Sequence, residues 1–341
     1  MRVLVTGHHG YIGSVMVPIL QSAGHEVVGL DTFYYEGCDF GRDALAIPEI
    51  RKDIRDVAVE DLTGLDGVIH LAALSNDPLG ELDPQLTADI NYLASVHLAK
   101  LAKAAGVARY LYSSSCSLYG AAGDEVLTEE ASQNPVTPYG ESKIHTEEGV
   151  RKLADDKFSP VFMRNATAYG ASPRLRADIL LNNLVGWAFT TGKVKILSDG
   201  TPWRPIVHIR DISAAFLAVL TAPREVIHNE SFNVGALGEN YQVRDVADIV
   251  KDVVPNCEIE YAGKGGPDPR NYRVDFTKIT QALPDFKPQW NARRGAEELY
   301  EAYKAEGLTL DRFEGRKYVR LKQIRHLLSG NRLDGALRWK S

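Results

Sequence analysis

The sequence predicts an α/β fold built on a doubly wound parallel sheet, with a smaller, discontinuous α/β domain attached. Three observations carry this. Short β-branched runs alternate with helical stretches through the first third of the chain, the pattern of strands crossing over through helices. A glycine-rich turn ends the first strand and opens the first helix. After about Tyr169 the rhythm breaks into longer segments bearing Gly and Pro, including Gly200–Pro205 and 263–269.

Taken in order, Val3–Thr6, Val27–Asp31, Gly67–Leu71 and a run from Tyr110 to Ser113 are the expected strands. Helices are expected at Ile12–Ala23, Asp56–Leu62 and Pro84–Ala105. In such sheets ligands sit beyond the carboxyl ends of the strands, so the turns at Gly7, Asp31, Leu71 and Ser113 should face one crevice. The expected division is a Rossmann-type domain over 1–170 and 205–230 and a substrate domain over 171–204 and 231–310. A basic amphipathic tail then occupies 311–341.

Of the 341 residues 44% are hydrophobic and 25% charged, ample for a packed core. The net charge of −6 argues against nucleic acid as main partner. Cys38, Cys116 and Cys257 form neither a disulfide framework nor a metal-ligand spacing, and no metal is expected. No apolar run reaches the length of a membrane span. With a strand pattern starting at Arg2, a soluble cytoplasmic protein without membrane partners is the expectation.

Thr6 through Gly13 reads TGHHGYIG. Gly7 permits the tight turn, Gly10 lets backbone approach a diphosphate, and Gly13 lets the helix pack on the strand. The helix N-terminus, at Tyr11 and Ile12, offers N–H groups to phosphate. Asp31 ends the next strand 18 residues after Gly13. A carboxylate there accepts the adenosine ribose 2′-hydroxyl and repels a 2′-phosphate, so NAD is expected over NADP.

Tyr139-Gly-Glu-Ser-Lys143 sets a phenol and an ammonium on one face of a helix beginning near Pro138. An isolated tyrosine ionises at about pH 10, and a neighbouring lysine cation favours the phenolate.

With these motifs in place the chain resembles the extended short-chain dehydrogenase/reductases, specifically their nucleotide-sugar epimerase/dehydratase group. The likeness runs from Val3 to about Leu310. It rests on TGHHGYIG, on DIRD at Asp53, HLAA at His70 and SSSCSLYG at Ser113, and on YGESK. It rests also on Arg164-Asn165 with Tyr169-Gly170, on RPIVHIRD at Arg204, and on FNVG at Phe232. The resemblance implies Asp53 and Ile54 near the adenine, and Leu71, Ala72, Ala73 and Ser113 along the NAD. It implies Ser115 as donor to the reacting sugar oxygen, Tyr139 as proton acceptor, and Lys143 on the nicotinamide ribose. Arg204 would meet the diphosphate of a nucleotide-diphosphate sugar, with Arg270 a second such ligand. Ser75, Asn76, Asn165, Asn182 and Asn183 are further candidate substrate contacts. A homodimer is implied, pairing the helices around Asp89–Ala105 and Tyr139–Leu153.

The reaction expected is epimerisation through a transient 4-keto sugar. The dehydratases of the group carry an Asp-Glu pair after the Ser/Thr, where this chain has Cys116 and Ser117. Cys116 opens the alternative of a dehydratase or C3/C5 epimerase using its thiol as acid or base, set against the plainer role of a small buried residue filling a strand end. A 4-keto-sugar reductase is disfavoured by Asp31, and a non-catalytic scaffold by the retained Ser115, Tyr139 and Lys143.

From Asp311 onward nine Lys/Arg stand against three Asp/Glu. In Arg316–Ser329 the apolar Leu321, Ile324, Leu327 and Leu328 share one helical face. The expectation is a helix docked on its own acidic body or on a partner subunit.

Overall fold

The computed structural model describes every residue except 42–45, 76, 81, 262–269 and 341, and leaves aside the side chains of 122–124. Five strands open the chain: β1 (Arg2–Thr6), β2 (Glu26–Asp31), β3 (Glu49–Arg51), β4 (Gly67–His70) and β5 (Arg109–Ser115). They join Ser159–Asn165 and Ser231–Val234 in one seven-stranded parallel sheet. Its order is Ser231–Val234, Ser159–Asn165, β5, β4, β1, β2, β3. The order reverses on either side of β1, the topology that opens a ligand crevice at the strand carboxyl ends. Thr6 pairs with Leu30 and with His70, and His70 with Tyr112. That register sets Gly7, Asp31, Leu71 and Ser113 along one edge.

Each face is covered by helices whose apolar side chains fill the pleats. On one face Met16, Val17 and Leu20 of α1 (Gly13–Ser22) meet Phe216, Val219 and Leu220 of the helix Ile209–Thr221. On the other, Leu98, Ala99 and Ala102 of the helix Ala94–Ala104 pack over Tyr110 and Phe158. His70 is buried between the two, its Nδ1 2.6 Å from Thr6 Oγ1 and its Nε2 2.8 Å from Ser95 Oγ. Burial pushes its pKa down to about 3, with the nearby Lys143 charge adding to this.

The helix expected at Asp56–Leu62 is instead two short 3₁₀ turns, Ile54–Asp56 and Val59–Leu62. Extended backbone at Val57 and Ala58 separates them. Asp53 accepts from Arg55 N–H and Asp61 from Ala58 N–H, so these carboxylates stop a continuous helix from forming. The helix expected at Pro84–Ala105 runs on through Ala104, with a π-helical turn at Ala88–Leu93 inside it. The short strand β3 had no alternation to reveal it.

A second core gathers around the helices Leu180–Thr191, Val243–Val253 and Ala292–Ala305. Strands Thr167–Tyr169, Trp203–His208 and Asn240–Gln242 form a small sheet beside it. The strand Ser231–Val234 lies beyond the expected boundary at 230, yet it is the edge of the large sheet. Hydrogen bonding with Ser159–Asn165 carries the sheet past that boundary.

The basic tail folds back on the chain's own body, beside Tyr34, Tyr35 and Arg174. Its helix, Arg320–Ser329, buries Ile324 and Leu327 in the same core as Tyr110 and Phe158. Among the described residues no helix is long and apolar enough to cross a membrane, and no His/Cys/Asp/Glu group could hold a metal.

Candidate active site

A cleft of about 740 Å³ opens at the carboxyl ends of the sheet, between the two cores. Of the residues expected in a site it brings together Ile12, Leu71, Ala73, Ser75, Ser113, Ser115, Tyr139, Lys143, Asn165, Asn183, Arg204 and Arg270. Asn76 lies outside the described residues.

The catalytic side chains are held from two directions. β5 ends in Ser113–Ser115, and the Ser115 hydroxyl caps the following turn by accepting Ser117 N–H at 3.1 Å. The helix Pro138–Arg151 begins at Thr137, whose hydroxyl accepts Gly140 N–H, with Pro138 in the first turn. One turn in, it presents Tyr139 and Lys143. Lys143 Nζ donates to Ser113 O at 2.7 Å and stands 5.4 Å from the centre of the Tyr139 ring.

Burial governs both ionisations. It pushes the Tyr139 phenol up to about 12, with the Asp77 carboxylate adding, while a hydrogen bond from Ser115 and the Arg176 charge pull the other way. It pushes the Lys143 ammonium down to about 7, partly offset by Glu147. The lysine cation expected to favour the phenolate does not outweigh burial in the protein without its cofactor. Desolvation is the largest influence on each group, and Tyr139 in the free protein is a phenol.

Cys116 is not part of this arrangement. It is 1% exposed in the apolar core, its thiol donates to Arg164 O at 3.1 Å, and burial raises its pKa strongly. The strand alternation ends at Ser115, and the 3₁₀ turn Cys116–Tyr119 rotates the thiol inward while Ser117 lines the cleft. Asn182 is likewise fully buried. Its amide braces Gly170 N–H, the Tyr11 hydroxyl and Arg176 O instead of facing the cleft. The Tyr11 side chain is buried too, donating to Gly170 O at 2.7 Å.

Several cleft residues escaped the sequence reading. Asp77 accepts from Thr137 Oγ1 at 2.8 Å and pairs with Arg270. Arg176 forks onto Asp178 and reaches Ser75 at 3.4 Å. Asn91, buried in the π-helical turn, accepts from Leu74 N–H and donates to Leu74 O, fixing the cleft-lining loop. Only Thr137 carried a local signal, as a cap before a proline.

The dinucleotide turn is built around close approaches. Gly7 has φ of +72°, and a Cβ there would lie 2.9 Å from Ala72 N. A Cβ on Gly13 would lie 2.5 Å from Gly7 O. Asp31 accepts from His9 N–H at 3.1 Å and Phe33 N–H at 2.8 Å. Asp53 is gripped by Arg55 through both carboxylate oxygens, which holds its pKa below the usual carboxylate range despite burial. Ile54 is buried beside it. Arg204 donates to Trp203 O and to Arg270 O, at the cleft wall.

Residues 3–235 match the NAD dependent epimerase/dehydratase family. The chain belongs to this family. It is 29% identical over 320 residues to a UDP-glucose 4-epimerase of Mycolicibacterium smegmatis, covering 89% of this chain and 99% of that one. It is 26% identical over 324 residues to UDP-glucuronic acid decarboxylase 1 of Arabidopsis thaliana, covering 92% and 72%. Among solved structures it superposes on MoeE5 in complex with UDP-glucuronic acid and NAD with a TM-score of 0.78, 27% identity, and 89% and 99% coverage. Enzymes of this family are NAD-dependent, and the turn at Gly7, closed to any side chain, with Asp31 at the next strand end, fits that cofactor.

Proposed function

We propose that the protein is an NAD-dependent nucleotide-sugar 4-epimerase. One observation carries the reading: Ser115, Tyr139 and Lys143 converge in the cleft while Cys116 turns into the core. NAD, when bound, supplies the hydride acceptor and donor. Ser115 holds the C4 oxygen of the sugar by hydrogen bond. Tyr139 first loses its own proton to solvent, a step that Lys143 and the positive charge of a bound nicotinamide would favour. As phenolate it takes the C4 hydroxyl proton while that carbon gives up its hydride, leaving a 4-keto sugar. Lys143 anchors the nicotinamide ribose and steadies the phenolate. After the sugar turns over, Tyr139 returns its proton to the oxygen as hydride comes back to the other face. No further acid or base is required, which agrees with a thiol out of reach and with Ser117 where a dehydratase carboxylate would stand.

The substrate is read as a nucleotide-diphosphate sugar, with Arg204 and Arg270 meeting the diphosphate through planar, bidentate guanidinium contacts. Ser75, Asn165 and Asn183, all lining the cleft, are read as sugar or nucleotide contacts. The chain is read as a NAD-binding unit over 1–170 and 205–230, extended to Val234 by the edge strand, and a substrate unit over 171–204 and the segment after Val234 to 310. A homodimer pairing the helices around Asp89–Ala105 and Tyr139–Leu153 is the family expectation, and Leu93, 52% exposed in the π-helical turn, agrees with it.

Incubation with a panel of nucleotide sugars in deuterated water, followed by mass spectrometry and NMR, tests the reaction class. The expected product has unchanged mass, inverted C4 and no carbon-bound deuterium. Loss of water or carbon dioxide, or deuterium at C3 or C5, would contradict it.

A further inference from the structure

The tail beyond the helix Arg320–Ser329 forms a small hairpin. Asp334 N–H donates to Arg338 O, Lys340 N–H to Arg332 O, and Leu333 bridges Trp339. This hairpin lies across the carboxyl ends of β2 and β3, where the adenosine half of a dinucleotide is held in this topology. Trp339 Nε1 donates to Thr32 O at 2.6 Å, and the Tyr34 hydroxyl donates to Leu337 O. From the preceding helix Gln323 donates to Tyr34 O at 3.1 Å. Arg338 pairs with Asp53 and Asp56, and Arg55 donates to Ala336 O at 2.8 Å.

Between those anchor points sits Phe33, with φ of +57°. A bulky residue keeps that conformation only when its surroundings impose it. The anchors at Thr32 and Tyr34 bracket it on both sides, and the Arg51 guanidinium stacks 3.8 Å over its ring. The strained residue's own N–H donates to Asp31 Oδ1. The hairpin is therefore connected, through two hydrogen bonds and one constrained residue, to the carboxylate expected at the ribose.

We propose that the C-terminal hairpin is a positioning element of the cofactor site, holding the Thr32–Tyr34 loop so that Asp31 meets the adenosine ribose. The inference rests on the cofactor reading of the site and is independent of which sugar reaction follows. Its readout is cofactor binding, so failure of the epimerase reading would leave it standing.

The test uses the full chain with Trp339→Phe and Tyr34→Phe combined, which removes both hydrogen bonds while keeping an aromatic ring at each position. Trp339→Phe alone is a milder second variant should the pair fail to fold. Dissociation constants for NAD and for NADP are measured by calorimetry. Loss of the two bonds is expected to weaken NAD by about tenfold in the double variant and about threefold in the single one. NADP should weaken less, because a displaced Asp31 both loses the 2′-hydroxyl and ceases to repel the 2′-phosphate. The preference for NAD therefore shrinks. An unchanged NAD-to-NADP ratio, with the two affinities either intact or falling together, would overturn the proposal.

Discussion

Tyr139 and Cys116 sit in neighbouring turns with opposite surroundings. The phenol opens onto the cleft beside Ser115, whereas the thiol points into the core. Tyr139→Phe should lower kcat by about 10²–10⁴-fold, the range of a lost acid–base group, with nucleotide-sugar binding retained in titrations. Cys116→Ala should keep kcat/KM within about twofold, since a buried thiol takes no part. It should lower unfolding stability by about 1 kcal/mol in urea titrations, from the small cavity left. Spacing made Tyr139 and Lys143 legible in the sequence, because four residues along a helix return to one face. The direction of Cys116 was not legible, since it depends on where β5 gives way to a tight turn.

At the scale of elements, β4 and the helix that follows it are tied together by polar groups no pattern discloses. His70 stays neutral in the fold down to about pH 3, whereas the unfolded chain protonates it near pH 6.5. Its contribution to stability is thus complete above pH 6.5 and is lost as pH falls toward 3. Between pH 6.5 and 5 the loss should approach ~2 kcal/mol. Urea midpoints at pH 7 and pH 5 check this, and His70→Asn should reduce that part of the difference. Asn91→Ala should free the Leu74–Ser75 segment and raise KM for the sugar nucleotide more than it lowers kcat, as steady-state kinetics would show. Of the strands that end at the cleft, β1, β2, β4 and β5 were legible as short apolar runs, whereas Ser159–Asn165 and Ser231–Val234 were not read as strands. The π-helical turn that buries Asn91 was not legible either, because no local residue pattern marks where an i→i+5 turn interrupts an α-helix.

For the whole molecule, charge and topology tell one story. The tail carries a net +6 and the remaining 310 residues −12. The docked helix, with Arg338 beside Asp53 and Asp56, brings the two into contact. The tail's amphipathic stripe was legible, but its landing place was not. A stripe states that a face is buried and leaves open against which partner, and here the helix lies beside Tyr34, Tyr35 and Arg174 of the chain's own body. The glycine turn, Asp31 and the Tyr139–Lys143 pair were legible because each obeys a short-range rule, whereas Ser115 came only with the family resemblance. Asp77 and Arg176 become cleft residues through contacts more than fifty residues distant in sequence. The central claim is that one hydride leaves C4 and returns to it within a single cleft. A substrate nucleotide hexose carrying deuterium at C4 tests this most directly. The expected result is an inverted product with the deuterium still at C4, whereas label moved to C6 or lost from the sugar would contradict it.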